Sequence, residues 1–425
     1  MQKLTFYKKI HFIGILGVSM QNLARFSMSF NIGVSGSDDA FCGEKPWFLS
    51  DVTIKKAFVA EEFKDVDLVV YSGAITDTHP DMILSRKLNI EMVRRDEFLA
   101  KLLEEFDISI CVAGSHGKTS TSSMIAEILK VANLRPALHI GGEYGNFFPF
   151  SNRYVVSEAC EYKRSFLALS PTISVILNTE YDHPDCYATR EELREAYLRF
   201  ARRTKAHGVL ISPFYIPNGT ENIVIGQDVY AKNIQNDGEY FSFTPVVNGV
   251  EKERITLSVP GLHNVQNALF SIAVANHLKV DYKYVKSGLE SFLGAKLRYT
   301  KKTTPYGDII VDYAHHPTEI KAVIDTAKLN SHAIRVLFQP HTYSRTKAFY
   351  DEFVSVLSAC SPLYIVEEYP ARETPDMGID AYQLYLGLRD KTKAYYLTLP
   401  EIKGLLNTPY PTTLILGAGN ISQII

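Results

Sequence analysis

A short glycine-rich stretch holds the residues best suited to chemistry in this sequence. It consists of Gly114, Ser115, His116, Gly117, Lys118, Thr119 and Ser120. Glycines let backbone N–H groups turn toward phosphates, the lysine can reach the outer phosphates, and the hydroxyl of Thr119 or Ser120 can bind Mg²⁺. The strict pattern needs a glycine where Val112 stands, so we interpret the stretch as a shortened phosphate-binding loop.

The segments on either side of this loop predict the elements that it requires. The apolar run 108–112 predicts a buried strand, and residues 121–129 predict a helix whose apolar face contains Ile125, Ile128 and Leu129. A glycine-rich turn between two ordinary elements is the alternative interpretation, and the strand–loop–helix order disfavours it.

Acidic and imidazole side chains follow two further predicted strands. Glu158 comes directly after a strand at 154–157, and Asp182 and His183 follow a strand at 172–177. Because parallel strands end at one edge of a sheet, we expect these side chains beside the phosphate-binding loop. Oxygen ligands suit Mg²⁺, so Glu158 is a candidate ligand, and direct and water-mediated roles both remain open for His183. A solvated loop carboxylate is the alternative for Glu158 alone.

Alternating strands and helices predict an α/β fold with three domains. Residues 1–105 predict a Rossmann-like domain. Residues 106–294 predict a central ATPase-type parallel sheet, with antiparallel strands near 223–260, where Asn248-Gly249 predicts a hairpin. Residues 295–425 predict a second Rossmann-like domain, with strands at 308–312, 335–338, 363–366, 394–397 and 413–416.

Gly14 and Gly17 form a tight turn after the first predicted strand. The turn is similar to a nucleotide-binding fingerprint, but Leu16 stands where a glycine is expected. A turn that binds no ligand is an equal alternative.

Two loops of the C-terminal domain carry histidines after predicted strands. The loop 312–318 has two adjacent histidines, which make a poor zinc site because no cysteine or carboxylate stands at ligand spacing. The next such loop contains His341 and Arg345. Arg345 and Arg298 could each bind a carboxylate or phosphate through two parallel hydrogen bonds, although an isolated arginine is more often a surface residue.

Composition excludes several classes of protein. The chain has 425 residues with Lys+Arg 45 against Asp+Glu 47, a net charge of −2, so it lacks a general positive field for nucleic acid. Its 5 cysteines are odd in number and scattered, which predicts reduced thiols in a cytoplasmic protein. No apolar run is long enough to predict a membrane span.

These motifs together resemble the Mur ligases, the ATP-dependent ligases of peptidoglycan precursor synthesis. The similarity follows the family order over nearly the whole chain, in segments 114–120, 158–167, 178–185, 261–267, 312–318, 338–346 and 417–419. Segment 338–346 is the most typical of the alanine-adding member.

The resemblance implies a reaction in which ATP phosphorylates the lactyl carboxylate of UDP-N-acetylmuramate. The amine of L-alanine then attacks the acyl phosphate and gives an amide, ADP and phosphate. The implied substrates are therefore these two small molecules, and the implied cofactors are ATP and Mg²⁺. Closure of the domains would exclude water from the acyl phosphate.

The resemblance also implies a role for each candidate residue. Those implied in catalysis are Lys118, His183, Arg298, His341 and Arg345. The implied nucleotide contacts are the loop 114–120, Asn264, Asn267, Arg298, Asp312 and His315, and the implied metal ligands are Thr119, Glu158 and His183. The implied contacts to the UDP-sugar are Gly14, Gly17, Ser37, Asp38 and Ser72.

Two alternatives remain open within this resemblance. One is a recycling ligase that attaches a whole peptide to the same sugar nucleotide. The other is a binding protein that has kept the fold and lost catalysis. Leu16 and Leu297 depart from the family pattern and allow the second alternative. Four retained residues favour an enzyme, namely Lys118, Glu158, His183 and Arg298. The sequence allows a monomer or a homodimer.

Overall fold

Four β-sheets organise the computed structural model, which describes residues 4–141 and 151–424. Two of the sheets are entirely parallel, one is antiparallel, and one is parallel except for an edge strand. The α/β fold class predicted from the sequence is confirmed. Within the described residues, no helix combines the length and the apolar character that crossing a bilayer requires.

The first sheet alternates short buried strands with helices. Its elements are β1 (Lys9–Ile13), α1 (Val18–Ser29), β2 (Gly33–Ser37), β3 (Thr53–Lys55), β4 (Leu68–Tyr71), α2 (Pro80–Lys87), β5 (Glu91–Arg94) and α3 (Arg95–Leu103). The strand order is β3-β2-β1-β4-β5, and every pairing is parallel. The order changes direction between β1 and β4, which is where doubly wound sheets form a ligand crevice.

The second sheet carries the phosphate-binding loop. Its elements are β6 (Ile108–Ala113), α4 (Lys118–Val131), β7 (Ala137–His139), β8 (Tyr154–Glu158), β9 (Ile173–Ile176), α5 (Arg190–Ala201), β10 (Val209–Ser212) and β11 (Glu221–Val224). The order β11-β10-β9-β6-β8-β7 places β6 between β8 and β9, all parallel. The loops that follow these three strands therefore share one edge of the sheet.

An antiparallel sheet and two helices complete this part of the chain. They are β12 (Val229–Asn236), β13 (Phe241–Val247), β14 (Val250–Glu251), β15 (Ile255–Thr256), α6 (His263–His277) and α7 (Tyr282–Ser291). The predicted Asn248-Gly249 hairpin joins β13 to β14, with Val247 opposite Val250. Both helices pack against α4, because Ile125, Val265 and Val285 belong to one buried cluster.

The fourth sheet contains the five C-terminal strands predicted from the sequence. Its elements are β16 (Thr300–Thr304), β17 (Gly307–Asp312), α8 (Pro317–Asn330), β18 (Ile334–Phe338), α9 (Tyr343–Ala348), α10 (Tyr350–Leu357), β19 (Leu363–Val366), α11 (Ala381–Leu388), β20 (Ala394–Leu397), α12 (Leu399–Leu406) and β21 (Thr412–Leu416). The order is β16-β17-β21-β18-β19-β20. The antiparallel edge strand β16 was not predicted, because its Thr-Lys-Lys-Thr-Thr sequence is mostly exposed and has no apolar alternation.

One local prediction needs correction, and one helix start has an unusual cap. The helix after the phosphate-binding loop begins at Lys118 rather than Thr121, because Gly117 adopts a left-handed conformation that lets the helix start directly after it. At the start of α5, Thr189 accepts a hydrogen bond from the Glu192 N–H at 3.1 Å, which is half of a capping box. The Glu192 carboxylate, however, accepts from the Ala188 N–H at 2.8 Å instead of returning to Thr189.

Gly288 lets α7 lie directly against the phosphate-loop helix. A Cβ atom added at this position would lie 2.7 Å from the Ile128 Cα of α4. The opposing atom belongs to the backbone of a buried helix, so a side chain cannot be accommodated by a rotamer change. The close approach of α7 thus holds α4 against its sheet.

We expect Gly288→Ala to lower the free energy of unfolding by about 1–3 kcal/mol through this overpacking. Gly404 is the matched control, because it also lies in a helix and no atom stands within 4 Å of an added Cβ. Gly404→Ala should stabilise the protein by about 0.5–1 kcal/mol through helix propensity. Thermal unfolding followed by circular dichroism measures both shifts, and equal upward shifts would contradict the packing argument.

Candidate active site

Two glycines shape the phosphate-binding loop. Gly114 has φ of 145° and Gly117 has φ of 83°, both in the region that favours glycine. A Cβ on Gly117 would also lie 2.7 Å from the Asn267 Oδ1 atom. The loop therefore approaches α6 closely, and α4 starts at Lys118 with its first N–H groups next to the loop.

Lys118 forms an ion pair with the buried Glu161. Its Nζ atom lies 2.9 and 3.0 Å from the two Glu161 carboxylate oxygens and donates to the Gly114 and Ser115 carbonyls at 2.5 and 3.2 Å. Burial favours the neutral form, but the opposing charge raises the pKa of Lys118 above its ordinary value. Burial likewise opposes the Glu161 charge, yet Lys118 and His183 hold the pKa of that carboxyl below its usual range.

Glu161 was not predicted as a site residue. It lies within the segment 158–162 that carries the family resemblance, but nothing in the sequence pattern indicates its partner. The His183 Nε2 atom lies 3.3 Å from the same carboxylate, so Glu161 links the loop lysine to the predicted histidine. The Glu161 side chain is 1% exposed, which makes this link internal to the site.

Glu158, the last residue of β8, has a carboxylate oxygen that could bind a metal ion. Its Oε1 atom is buried and has no hydrogen-bond partner among the described residues. Leaving such an oxygen without a partner is costly, and a cation would satisfy it. The donor set of Glu158 with the Thr119 hydroxyl therefore fits Mg²⁺, which prefers oxygen ligands.

A cavity of about 290 Å³ lies between the phosphate-binding loop and the fourth sheet. Eight predicted residues line it together, which are His116, Gly117, Thr119, Ser120, Asn264, Asn267, Arg298 and Asp312. Glu180 and Glu319 also line it and were not predicted. His315 belongs to the neighbouring loop, where its Nδ1 atom lies 2.9 Å from the Tyr313 carbonyl oxygen.

A chain of amide groups fixes the wall of the cavity formed by α6. The Asn264 side chain donates to the Pro260 carbonyl at 2.7 Å and accepts from Asn267 at 3.0 Å. The Asn267 oxygen accepts from the Thr121 hydroxyl of α4 at 3.2 Å. These bonds fix the orientation of both side chains beside the loop.

The opposite wall is formed by Asp312 and Arg298. Asp312 ends β17 and accepts hydrogen bonds from the Tyr299 and Ala314 N–H groups at 2.8 and 2.7 Å. Burial raises the pKa of Asp312 to about 6. Burial opposes the charge of Arg298, but Glu319, Asp312 and Glu158 keep its pKa above the ordinary value. Its guanidinium lies 5.2 Å from the centre of the Tyr313 ring, a cation–π arrangement.

Arg345 joins the two sides of the cleft through Asp182. Its Nε and NH2 groups donate to the Asp182 Oδ1 atom at 3.0 and 2.9 Å, and both side chains are less than 5% exposed. The third nitrogen lies 3.0 Å from the His341 Nδ1 atom. Burial and the arginine lower the pKa of His341 to about 4. The structure thus places His341 and Arg345 together at the cleft, where Arg345 forms an ion pair with Asp182.

A cluster of two histidines and one carboxylate includes His116 of the phosphate-binding loop. One ligand atom from each of His116, Glu180 and His316 lies within 4.8 Å of the others. The His316 Nδ1 atom accepts from the Thr318 N–H at 3.3 Å, which places the proton of a neutral ring on Nε2. The remaining His316 nitrogen, Nε2, is then a donor rather than a metal ligand, so this cluster is a poor metal site.

The predicted UDP-sugar residues gather at the ends of β1, β2 and β4. The Gly14 N–H donates to the Ser37 carbonyl at 2.7 Å, and the Leu16 N–H donates to the Asp38 carboxylate at 2.9 Å. A Cβ on Gly14 would lie 3.2 Å from the Ser72 Cβ. The crevice is therefore narrow, and its turn is closed by backbone and carboxylate contacts.

Ser37 contributes its backbone rather than its side chain to this crevice. The side chain is 0% exposed and lies 3.5 Å from His11, which pairs with the buried Asp81 at 3.2 Å. Gly17 precedes the first turn of α1, so that helix presents its N-terminus to the crevice.

Family models match the chain in three segments. The model described as "Mur ligase family, catalytic domain" matches residues 9–107, "Mur ligase middle domain" matches 112–275, and "Mur ligase, glutamate ligase domain" matches 298–405. The order and extent of these matches agree with the order of the sheets. The predicted division at residues 105 and 294 stays a prediction.

Curated and solved proteins are similar along the whole chain. UDP-N-acetylmuramate–L-alanine ligase of Agathobacter rectalis is 38% identical, covering 100% of this chain and 98% of that protein. The enzyme of the same name from Lachnospira eligens is 37% identical, covering 88% of this chain and 86% of that protein.

Among solved structures, UDP-N-acetylmuramate–alanine ligase of Thermotoga maritima superposes with a TM-score of 0.79 at 26% identity, covering 98% of this chain and 97% of that one. A murein peptide ligase of Psychrobacter arcticus has a TM-score of 0.73 at 22% identity over 98% and 97% of the two chains, which shows a shared fold. Sequence identity and fold agree over the full length, and the chain belongs to the Mur ligase family.

Proposed function

We propose that this chain is an ATP-dependent ligase that joins L-alanine to the lactyl carboxylate of UDP-N-acetylmuramate in peptidoglycan precursor synthesis. This proposal rests mainly on Lys118 and Glu158, which lie at one sheet edge beside a nucleotide-sized cavity. One Glu158 carboxylate oxygen has no hydrogen-bond partner among the residues that the structure describes. That site lies in a chain 38% identical to a UDP-N-acetylmuramate–L-alanine ligase over nearly all of both proteins. Fold similarity alone would support a nucleotide-dependent enzyme only in general terms.

The reaction requires the protein to neutralise the phosphate charges and to position the substrates. A lactyl carboxylate oxygen attacks the γ-phosphorus of ATP, ADP leaves, and an acyl phosphate forms. The amine of L-alanine then attacks the acyl carbon, inorganic phosphate leaves, and the amine loses a proton. Lys118 on the loop and Arg298 on the opposite wall are positioned to stabilise charge on the phosphates. No protein nucleophile is needed.

Thr119, Glu158 and His183 are the residues that we propose to hold Mg²⁺. When bound there, the ion would neutralise phosphate charge and orient the phosphate oxygens. The Glu158 Oε1 atom supports this proposal, because within residues 4–141 and 151–424 it has no hydrogen-bond partner. His183 already contacts Glu161, so a water-mediated role is also consistent with its position.

Each substrate has a proposed place on the chain. The UDP-sugar occupies the crevice at Gly14, Gly17 and Asp38, where the α1 N-terminus favours a diphosphate. L-alanine approaches from the side of His341 and Arg345. We place the reaction in the cytoplasm, where ATP is available, and this agrees with the five free cysteines of the described residues.

A phosphate-release assay tests the choice of acceptor. We expect phosphate from ATP only when UDP-N-acetylmuramate and an amino acid are both present, with L-alanine faster than glycine or L-serine. The recycled tripeptide should give no release, because the proposed site accepts a single amino acid. Turnover of the tripeptide without turnover of L-alanine would contradict the proposal, and no turnover with any acceptor would favour a non-catalytic relative.

Lys118→Ala should separate phosphoryl transfer from sugar binding. We expect turnover to fall by at least about a hundredfold, since the variant lacks the cation nearest to the proposed phosphates. Binding of UDP-N-acetylmuramate, measured by calorimetry, should be unchanged because its crevice lies on the first sheet. Lys130→Ala is the matched control, as Lys130 lies at the other end of α4 beside Glu127. Loss of both properties in Lys118→Ala would refute this division of labour.

A further inference from the structure

Glu319 on α8 reaches across the cleft to the phosphate-binding loop. Its Oε1 atom lies 3.1 Å from the His116 Nδ1 atom, and the Glu319 side chain is 13% exposed. His116 is the loop residue between Ser115 and Gly117. A carboxylate of the fourth-sheet unit is therefore in direct contact with the loop that we propose to bind ATP.

The same carboxylate oxygen also faces the arginine of the opposite wall. Arg298 NH1 lies 3.9 Å from Glu319 Oε1, and the other Glu319 oxygen accepts from the His315 N–H at 3.2 Å. One side chain thus connects the phosphate-binding loop, the proposed phosphate arginine and the loop after β17. Neither His116 nor Arg298 has to move for these contacts to coexist.

The contact between His116 and Glu319 is an ion pair at neutral pH. Burial would lower the pKa of His116, but Glu319 and Glu180 raise it to about 9. Burial would raise the pKa of Glu319, but His116 and His315 hold it well below its usual range. Charge-assisted hydrogen bonds of this kind are stronger than neutral ones, and they weaken steeply when one charge is removed.

A second group of contacts also holds His116 in place. The Thr318 hydroxyl, next to Glu319, donates to the Glu180 carboxylate, and Glu180 Oε2 lies 3.3 Å from His116 Nε2. The His116 and His316 rings are 4.6 Å apart. Carboxylates from both sides of the cleft therefore flank His116.

We propose that Glu319 is a positioning residue for phosphoryl transfer. By holding His116 and Arg298 with one oxygen, it fixes the phosphate-binding loop and the arginine wall in the arrangement that receives ATP. The effect of Glu319 on phosphoryl transfer rests on the proposed function. Its effect on nucleotide binding rests only on the geometry of the cleft. Removing the charge leaves Glu180 as the one carboxylate partner of the His116 ring among the described residues, so ATP then has to order this ring and Arg298 as it binds.

Steady-state kinetics of Glu319→Gln test this role. We expect kcat/KM for ATP to fall by about tenfold to a hundredfold, which is the loss expected for one charge-assisted hydrogen bond. KM for UDP-N-acetylmuramate should not change, because that crevice makes no contact with Glu319. Asp325→Asn is the matched control, since Asp325 lies on α8, is exposed and pairs with Lys321. Wild-type kinetics in Glu319→Gln, or an equal loss for both substrates, would overturn the proposal.

A double-mutant cycle with His116→Gln identifies the partner. If Glu319 acts through His116, the loss of kcat/KM for ATP in the double variant should equal the larger of the two single-variant losses, not their sum. Additive losses would overturn the link to the loop. Calorimetry of a non-hydrolysable ATP analogue repeats the cycle without turnover, so it remains decisive even if the wild-type enzyme accepts no amino acid and the proposed function fails.

A folding control keeps the outcome interpretable. If Glu319→Gln does not fold by circular dichroism, Glu319→Asp replaces it, because it keeps the charge and withdraws it from His116. Weaker binding of the analogue by Glu319→Asp, absent from Asp325→Asn, would support the proposal. Unchanged binding would overturn it.

Discussion

The parallel pairing of β6 between β8 and β9 is the constraint on which the site depends. Parallel strands end at the same edge, so three separate sequence segments must deliver their next residues to one place. Lys118 follows β6, Glu158 ends β8, and Asp182 lies on the loop after β9. No local motif could assemble these charges. The sheet order does so, and the antiparallel sheet with α6 and α7 then holds the loop helix in place.

Buried charge pairs convert this arrangement into a defined site. Glu161 is 1% exposed beside a Lys118 side chain that is 16% exposed, and Asp182 and Arg345 are each less than 5% exposed. Removing water from such ions costs much of what their attraction contributes, so the pairs do little for net stability. The pairs instead restrict the geometry of the site, because separating a buried charge from its partner costs about 3–5 kcal/mol. Each pair therefore permits few alternative positions of the loop or the cleft.

The sequence predicted the fold more completely than the site. Apolar runs located the central strands and the five C-terminal strands, because both faces of a parallel strand are buried and the pattern is strong. The exposed strand β16 and the short strand β7 lack that pattern. Residues with a local motif, such as Lys118, were identified from spacing. Glu161 and Glu319 were not, because their partners come from other elements and only the folded chain brings them together.

The central claim is that this site activates a carboxylate with ATP. It can be tested directly with UDP-N-acetylmuramate whose lactyl carboxylate carries ¹⁸O at both oxygens, in the presence of ATP, Mg²⁺ and L-alanine. Because the amide bond forms by expelling phosphate from an acyl phosphate, one carboxylate oxygen must leave with that phosphate. Mass spectrometry of the released phosphate should therefore find one ¹⁸O atom in each ion. Unlabelled phosphate would show that water attacks ATP instead, and it would contradict the account.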